Sequence, residues 1–298
     1  MDDAWLEELS FAQRQRLQFI EARLIWDGSV RRGQVCEVFD VTPNHLSRDF
    51  RRYRHHHAHS LEYDVEKKAY TRGRNFKPLL ASGSAEEYLS LLQAYSISKS
   101  TAVVPAMGQV ATAESITQPT GSIDPDVLRL MMLALREGRG LSLAYQSLNE
   151  SDPVPRILWP HTLVFNGDRW HARAFDDRHQ AFRDFVLARC IRAEIHSSTA
   201  PLAATEDTRW HETETVDVVP ARRLSDSQKT VVAKEFGMKV DDGAFVWSAA
   251  IRKCLVGYFL YRHRLELGGS ASQQIPGQHP YLALKNPELA AAYRFGSD

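Results

Sequence analysis

Asn44, His45, Ser47, Arg48 and Arg51 crowd a short stretch, and each carries a donor that suits a phosphate oxygen or a base edge. Arg32, Thr42, Arg52, Lys67 and Lys68 flank them, and together these ten residues form the candidate DNA-contacting set. The chain as a whole is neutral, with 37 Lys and Arg against 37 Asp and Glu, so charge has to be read locally. Residues 31–77 hold 11 Lys or Arg and 6 acids, a net +5, whereas residues 1–30 are net −3. A confined positive block is what a phosphate-binding face needs, although an ordinary solvated basic helix has the same composition. His55, His56, His57 and His59 invite a metal reading, but consecutive helical residues diverge, and no cysteine or carboxylate completes a ligand set. Neither a metal nor a cofactor is expected.

A second group lies between residues 141 and 197. On alternating strands Tyr145 and Ser147 share one face, Arg169, His171 and Arg173 share one, and Arg183 and Arg189 can share another. Guanidiniums beside a tyrosine and a histidine suit a phosphorylated ligand through bidentate hydrogen bonds. Seven arginines and seven acids in this segment also allow plain surface ion pairs. No G-x-S-x-G, Walker A, G-x-G-x-x-G or H-E-x-x-H sequence occurs, and no acid–base constellation stands out, so the chain is not expected to be an enzyme. Cys36, Cys190 and Cys254 form no C-x-x-C pair, which disfavours a disulfide framework and fits a reducing compartment. The N-terminus lacks the signature of a secretory signal, and no stretch is apolar enough to span a bilayer. A cytoplasmic protein is expected.

Elements must hold these groups in place. Leu17, Ile20 and Leu24 recur at helical spacing within 9–26, and Asp27-Gly28 supplies a stop. A short helix follows over 31–39. Thr42 is a good N-cap with Pro43 at the first helical position, and Leu46, Phe50 and Tyr53 form the buried stripe of a third helix. Residues 61–70 read as a charged hairpin, and three helices with a hairpin make a winged helix-turn-helix. Ser84 and Glu87 begin a helix to about Ser96, and residues 98–122 are rich in small residues, Gly and Pro, as a linker would be. Asp124-Pro125 caps a helix carrying Val127, Leu130, Met131 and Leu135. Strands are expected over 141–147, 157–165, 170–175 and 182–187, with Asn166-Gly167 as a tight hairpin, so a small antiparallel barrel or curled sheet is expected. A strand at 216–219, a helix opened by Ser225, a strand at 244–247 and a helix over 250–264 complete an α+β unit.

The run Val35 to Phe50 resembles the two-helix core of bacterial helix-turn-helix repressors, with Asp40 where a glycine usually makes the turn. Residues 123–197 resemble the WYL domain, an Sm-like β-barrel. The resemblance rests on Tyr145-x-Ser147, Pro160-His161-x-Leu163, Asn166-Gly167, Trp170-x-x-Arg173-Ala174-Phe175-Asp176, Phe182-Arg183 and Arg189-Cys190-Ile191. The name motif stands as Trp170-His171-Ala172 and keeps only its tryptophan. The resemblance implies that Tyr145, Ser147, His161, Arg173, Arg183 and Arg189 line a pocket for a regulatory nucleotide or nucleic acid. Residues 205–298 resemble the extension that commonly dimerises WYL regulators.

The expected architecture is therefore an α+β multidomain chain. It has a winged helix-turn-helix at 1–80, a helical linker at 81–122, a WYL barrel at 123–197 and a small α+β dimerisation domain at 205–298. Its order resembles the WYL repressors that control phage-defence islands. The resemblance implies a homodimeric, sequence-specific repressor on an inverted-repeat, double-stranded operator, relieved by ligand. A WYL activator, or an accessory factor that binds RNA or single strands, remains the alternative.

Overall fold

A computed structural model describes residues 4–119, 121–265 and 279–293, which fall into two compact units, 1–117 and 118–298. In the first unit, α1 (Phe11–Trp26) starts at a capping box. The Ser10 hydroxyl accepts from Gln13 N, while the Gln13 side chain accepts from Ser10 N. β1 (Ser29–Val30), α2 (Arg32–Phe39) and α3 (Pro43–His56) follow. Asp40, in place of the usual glycine, adopts the left-handed region at φ 49° and makes the turn, a conformation that short Asp side chains tolerate. The wing is β2 (Leu61–Asp64) and β3 (Ala69–Arg72), paired Tyr63 to Tyr70. β3 sits between β2 and the two-residue β1, which is too short to leave a period in the sequence.

Leu17, Phe19, Ile20 and Leu24 of α1 pack with Val35, Leu46, Phe50 and Tyr53 to form the core of this unit. Two carboxylates lie within it. Asp49 accepts from Arg16 Nε at 2.7 Å and Gln13 Nε2 at 3.3 Å, tying α3 to α1. Glu21 is fully buried and accepts from Tyr53 Oη at 2.7 Å and from the backbone N–H groups of Leu79, Leu80 and Ala81. The unit continues through α4 (Ala85–Ser98), capped by Ser84, and α5 (Val104–Met107). Met107 is buried, and a Cβ on the following Gly108, at φ +69°, would stand 2.5 Å from Arg23 N. That close approach to α1 requires glycine.

The second unit opens with α6 (Pro125–Glu137), capped by Asp124 and ended by Gly138 in the left-handed region. Five strands follow: β4 (Arg139–Tyr145), β5 (Val154–Phe165), β6 (Trp170–Asp176), β7 (Ala181–Val186) and β8 (Cys190–Thr199). They form an antiparallel sheet in the order β7-β6-β5-β4-β8, and α6 packs on β4, β5 and β8. The expectation of an Sm-like barrel is corrected in one respect: β7 and β8 are opposite edges and no ladder joins them, so the sheet is open. A single 3-10 turn at Leu187–Arg189, closed by Cys190 N donating to Leu187 O, connects these edges, and Gln146 N donates to Arg189 O at the same corner. The hairpin expected at Asn166-Gly167 is present: the paired strands end at Phe165 and Trp170, and Asn166 N donates to Arg169 O across the turn. Asn166 Oδ1 accepts from the N–H groups of Asp168 and Arg169, an Asx-type cap on a four-residue loop.

α7 (Thr208–His211) leads into β9 (Thr213–Pro220), α8 (Asp226–Glu235), β10 (Lys239–Asp241), β11 (Ala244–Arg252), α9 (Lys253–Arg262), β12 (Leu282–Leu284) and α10 (Glu288–Ala292). The sheet order is β10-β11-β9-β12. The helix expected from residue 250 begins at Lys253, because Ala250, Ile251 and Arg252 extend the ladder opposite Thr215, Glu214 and Thr213. Val216, Val218, Val256 and Leu260 lie in the core of this part. All three cysteines are free thiols, and among the described residues no helix is long and apolar enough to cross a membrane.

Replacing Glu21 with Ala removes the acceptor of the Tyr53 hydroxyl and of the Leu79, Leu80 and Ala81 N–H groups, which is expected to cost on the order of 3 kcal/mol. Tyr53→Phe removes one partner only and should cost about 1 kcal/mol. Denaturant midpoints of both variants check the ranking.

Candidate functional site

The DNA-contacting candidates lie on α2, on α3 and its N-cap, and at the wing turn of the first unit. With Leu46, Asp49, Phe50 and Tyr53 facing inward, Asn44, His45, Arg48 and Arg51 are exposed on α3. No hydrogen bond or ion pair is recorded for Asn44, Arg48 or Arg51 among the described residues, so their donors face solvent. The other candidates are partly engaged. Thr42 Oγ1 lies 3.1 Å from His45 Nδ1, and Ser47 Oγ donates to Pro43 O at 2.8 Å. Arg52 Nη2 reaches Glu8 Oε2 at 2.7 Å, and Lys67 Nζ reaches Asp64 Oδ2 at 3.2 Å. Lys68 is exposed at the wing turn in the left-handed region. Arg32 Nη2 donates to Tyr70 Oη at 2.6 Å, and Tyr70 stacks on Phe50 at 4.2 Å, so an aromatic pair joins the wing to α3. Of the histidines, His56 stacks on Trp5 and His57 is buried beside Tyr53, so these two rings serve packing.

The ligand candidates divide between the two faces of the five-stranded sheet. Arg173 pairs with Asp184 across β6 and β7, while Arg183 pairs with Ala174, and directly opposed residues share a face. Arg183 is thus on the side of Ala174, Asp176 and Tyr145. Arg173, two rungs from His171, is on the other. Tyr145 is buried against Phe185 and its Oη accepts from Val186 N at 3.2 Å. A cleft of about 710 Å³ wraps this edge and is lined by Tyr145, Ser147, Arg173 and Arg183 among others. His161 and Arg189 are not part of its wall. His161 nevertheless connects to it, because its Nε2 lies 3.0 Å from Asp207 Oδ2.

Arg173 is 5% exposed, and its fork is already taken. Nε and Nη2 hold the two oxygens of Asp207 at 2.7 and 2.9 Å, and Nη1 holds Asp184 Oδ1 at 3.2 Å. Tyr258 Oη of α9 donates to Asp184 Oδ2 at 3.2 Å. Burial raises the pKa of the Asp207 carboxyl, but the contacts with Arg173 and His161 outweigh it and hold the group below the ordinary aspartate value. A second cluster at the same cleft joins Arg156 and His179 to the buried Asp176. Arg156 is itself buried, and its Nε has no hydrogen-bond partner. Asp207, Arg156 and His179 were not among the candidates expected from sequence. Asp207 had one local signal, since it caps α7 by accepting from Trp210 N. Its bond to a residue 34 positions earlier had none.

Comparison with known proteins matches each part of this architecture in order. Residues 12–94 match the BrxR transcriptional regulator winged helix-turn-helix domain, residues 126–195 the WYL domain, and residues 213–289 the BrxR transcriptional regulator C-terminal dimerization domain. The DNA-binding transcriptional repressor CapW of Stenotrophomonas maltophilia is 31% identical over 97% of this chain and 94% of its own. The chain belongs to the BrxR/CapW family of WYL-domain transcriptional regulators. CapW of Pseudomonas aeruginosa is 29% identical over 93% of this chain and 90% of its own, and CapW of Escherichia coli strain KTE188 is 28% identical with the same coverage. Within this BrxR/CapW chain the WYL segment spans α6 to β8, and the dimerization match begins at β9, just past Asp207 and α7.

His161 and His171 are both held below the usual histidine pKa, with burial the largest cause and Asp207 and Asp184, respectively, opposing it. Each binds a proton more readily unfolded than folded, so its stabilising contribution is complete above about pH 6.5 and declines as pH falls from there towards the lowered folded values. The melting temperature of the second unit is expected to drop between pH 7 and pH 5. The double variant His161→Asn/His171→Asn should show a shallower drop in the same scan.

Proposed function

We propose that the chain is a homodimeric, DNA-binding transcriptional repressor that reads a double-stranded, inverted-repeat operator with α3. The observation that carries this reading is the outward row of Asn44, His45, Arg48 and Arg51, on a helix whose orientation is set by the buried Arg16–Asp49 pair. Side chains at the start of a rigid helix, followed by a wing with Lys67 and Lys68, suit entry into a major groove with backbone contacts alongside. Relatives over nearly the full length carry the name of DNA-binding transcriptional repressors, which favours repression over activation. The match to a dimerization domain supports a two-fold protein on a two-fold site, with half-site centres about 10 to 10.5 bp apart or at a multiple of that. Control of a phage-defence operon accords with the resemblance to the repressors of such islands. We further propose that a nucleotide or nucleic-acid ligand enters the cleft bordered by Tyr145, Ser147, Arg173 and Arg183 and lowers operator affinity. His161 acts through its contact with Asp207, and Arg189 lies outside the lining.

Fluorescence anisotropy on DNA from upstream of the chain's own gene tests the reading. If Arg48 reads a base, Arg48→Ala should cost about 1 to 3 kcal/mol of specific binding. If Arg51 holds a phosphate, Arg51→Ala should weaken all sequences alike and reduce the salt slope by about one. Unchanged binding in both variants removes α3 as the reading helix.

A further inference from the structure

Arg173 belongs to the ligand set by sequence, yet the structure shows its guanidinium held bidentately by a carboxylate of the same chain. A carboxylate and a phosphate present two oxygens to an arginine fork in the same way. We propose that Asp207 occupies the seat of the ligand's phosphate, and that a phosphate-bearing ligand binds the cleft by displacing Asp207 from Arg173. This inference rests on the reading that the WYL cleft takes a nucleotide or nucleic acid.

Charge makes displacement necessary. Asp184 and Asp207 already flank Arg173, and Glu206 also lines the cleft, so an added phosphate would meet carboxylates at the Arg173 fork. Removing Asp207 leaves Arg173 with a single carboxylate, Asp184, and restores its capacity for an anion. A phosphate carries up to two negative charges and three acceptor oxygens, so it can replace the Asp207 bonds without leaving the guanidinium unpaired.

The displaced group also has a mechanical position. Asp207 is 2% exposed and caps α7, whose last residue is separated from β9 by Glu212 alone. The Arg252 guanidinium lies 4.3 Å from the centre of the Trp210 ring and also bonds Trp210 O, tying α7 to the end of β11. Loss of the cap therefore loosens the short segment through which the WYL sheet meets the sheet of the dimerization domain. A ligand that trades places with Asp207 gains a route to that domain through covalent chain.

The full-length protein is titrated with a short 5′-phosphorylated oligothymidylate. Asp207→Asn, which keeps the shape and removes the charge, is expected to bind this probe roughly tenfold more tightly than wild type, within the usual range of coupling between sites. Arg173→Lys, which lacks the fork, should lose that gain when combined with Asp207→Asn. Because Asp207→Asn also weakens a buried pair, hydrogen exchange on the wild type supplies a second readout: saturating probe should accelerate exchange in Thr208–His211. Wild-type binding with no tightening in a folded Asp207→Asn variant, or with unchanged exchange in α7, overturns the displacement while leaving the cleft as the ligand site. Failure of the wild type and of Asp207→Asn alike to bind the probe overturns the ligand reading itself, and this inference with it.

Discussion

The second unit depends on how one buried guanidinium is neutralised. Arg173 on β6 cannot lose its charge, so the fold must bring carboxylates to it, and it brings two from different places. Asp184 comes from the neighbouring strand and is in turn bonded by Tyr258 of α9. Asp207 comes from beyond β8, and His161 joins it from β5. The WYL sheet and the dimerization domain are thereby linked through ionic and hydrogen-bonded contacts whose energy depends strongly on completeness. Removing one member of such a set weakens the compensation of a buried charge, so the contacts at this junction depend on one another.

The first unit solves a related problem for a different end. α3 is fixed on its inner side and bare on its outer side. Apolar contacts of Leu46, Phe50 and Tyr53 give adhesion, but they do not by themselves set rotation or register. Asp49, gripped by Arg16 and Gln13, and Tyr53, gripped by Glu21, add directional bonds along the same face. Glu21 also collects the backbone of residues 79–81, so the segment leaving the wing is held by the carboxylate that orients α3. The donors on the outer side then need no internal partner, which leaves them available for phosphate and base edges.

The open sheet leaves a strand edge at the cleft. Because β7 is an edge, its two faces are both reached by one cleft, and residues that alternate along β6 and β7 contribute from opposite sides. Arg183 and Tyr145 therefore belong to the side that also holds Arg156 and Asp176, and Arg173 belongs to the side closed by Asp207.

Much of this was determined by local sequence. The stripe Leu46, Phe50 and Tyr53, the Thr42-Pro43 start and the Asp124-Pro125 cap specify helices through side-chain periodicity and backbone preference, which act over a few residues. The alternation along 141–187 likewise indicated the strands and the shared face of His171 and Arg173, whereas Arg169, expected on that face, lies in the turn before β6. The family pattern reached further, to the order of the three matched domains. Tertiary structure alone decided the partners of the charged groups. Arg52 goes to Glu8 and Arg173 to Asp207, across 44 and 34 residues of chain, and electrostatic pairing at such separation leaves no periodic trace. It also decided that β7 and β8 do not pair with each other and that β11 runs on to Arg252, since a ladder depends on what lies opposite each residue rather than on the residue itself.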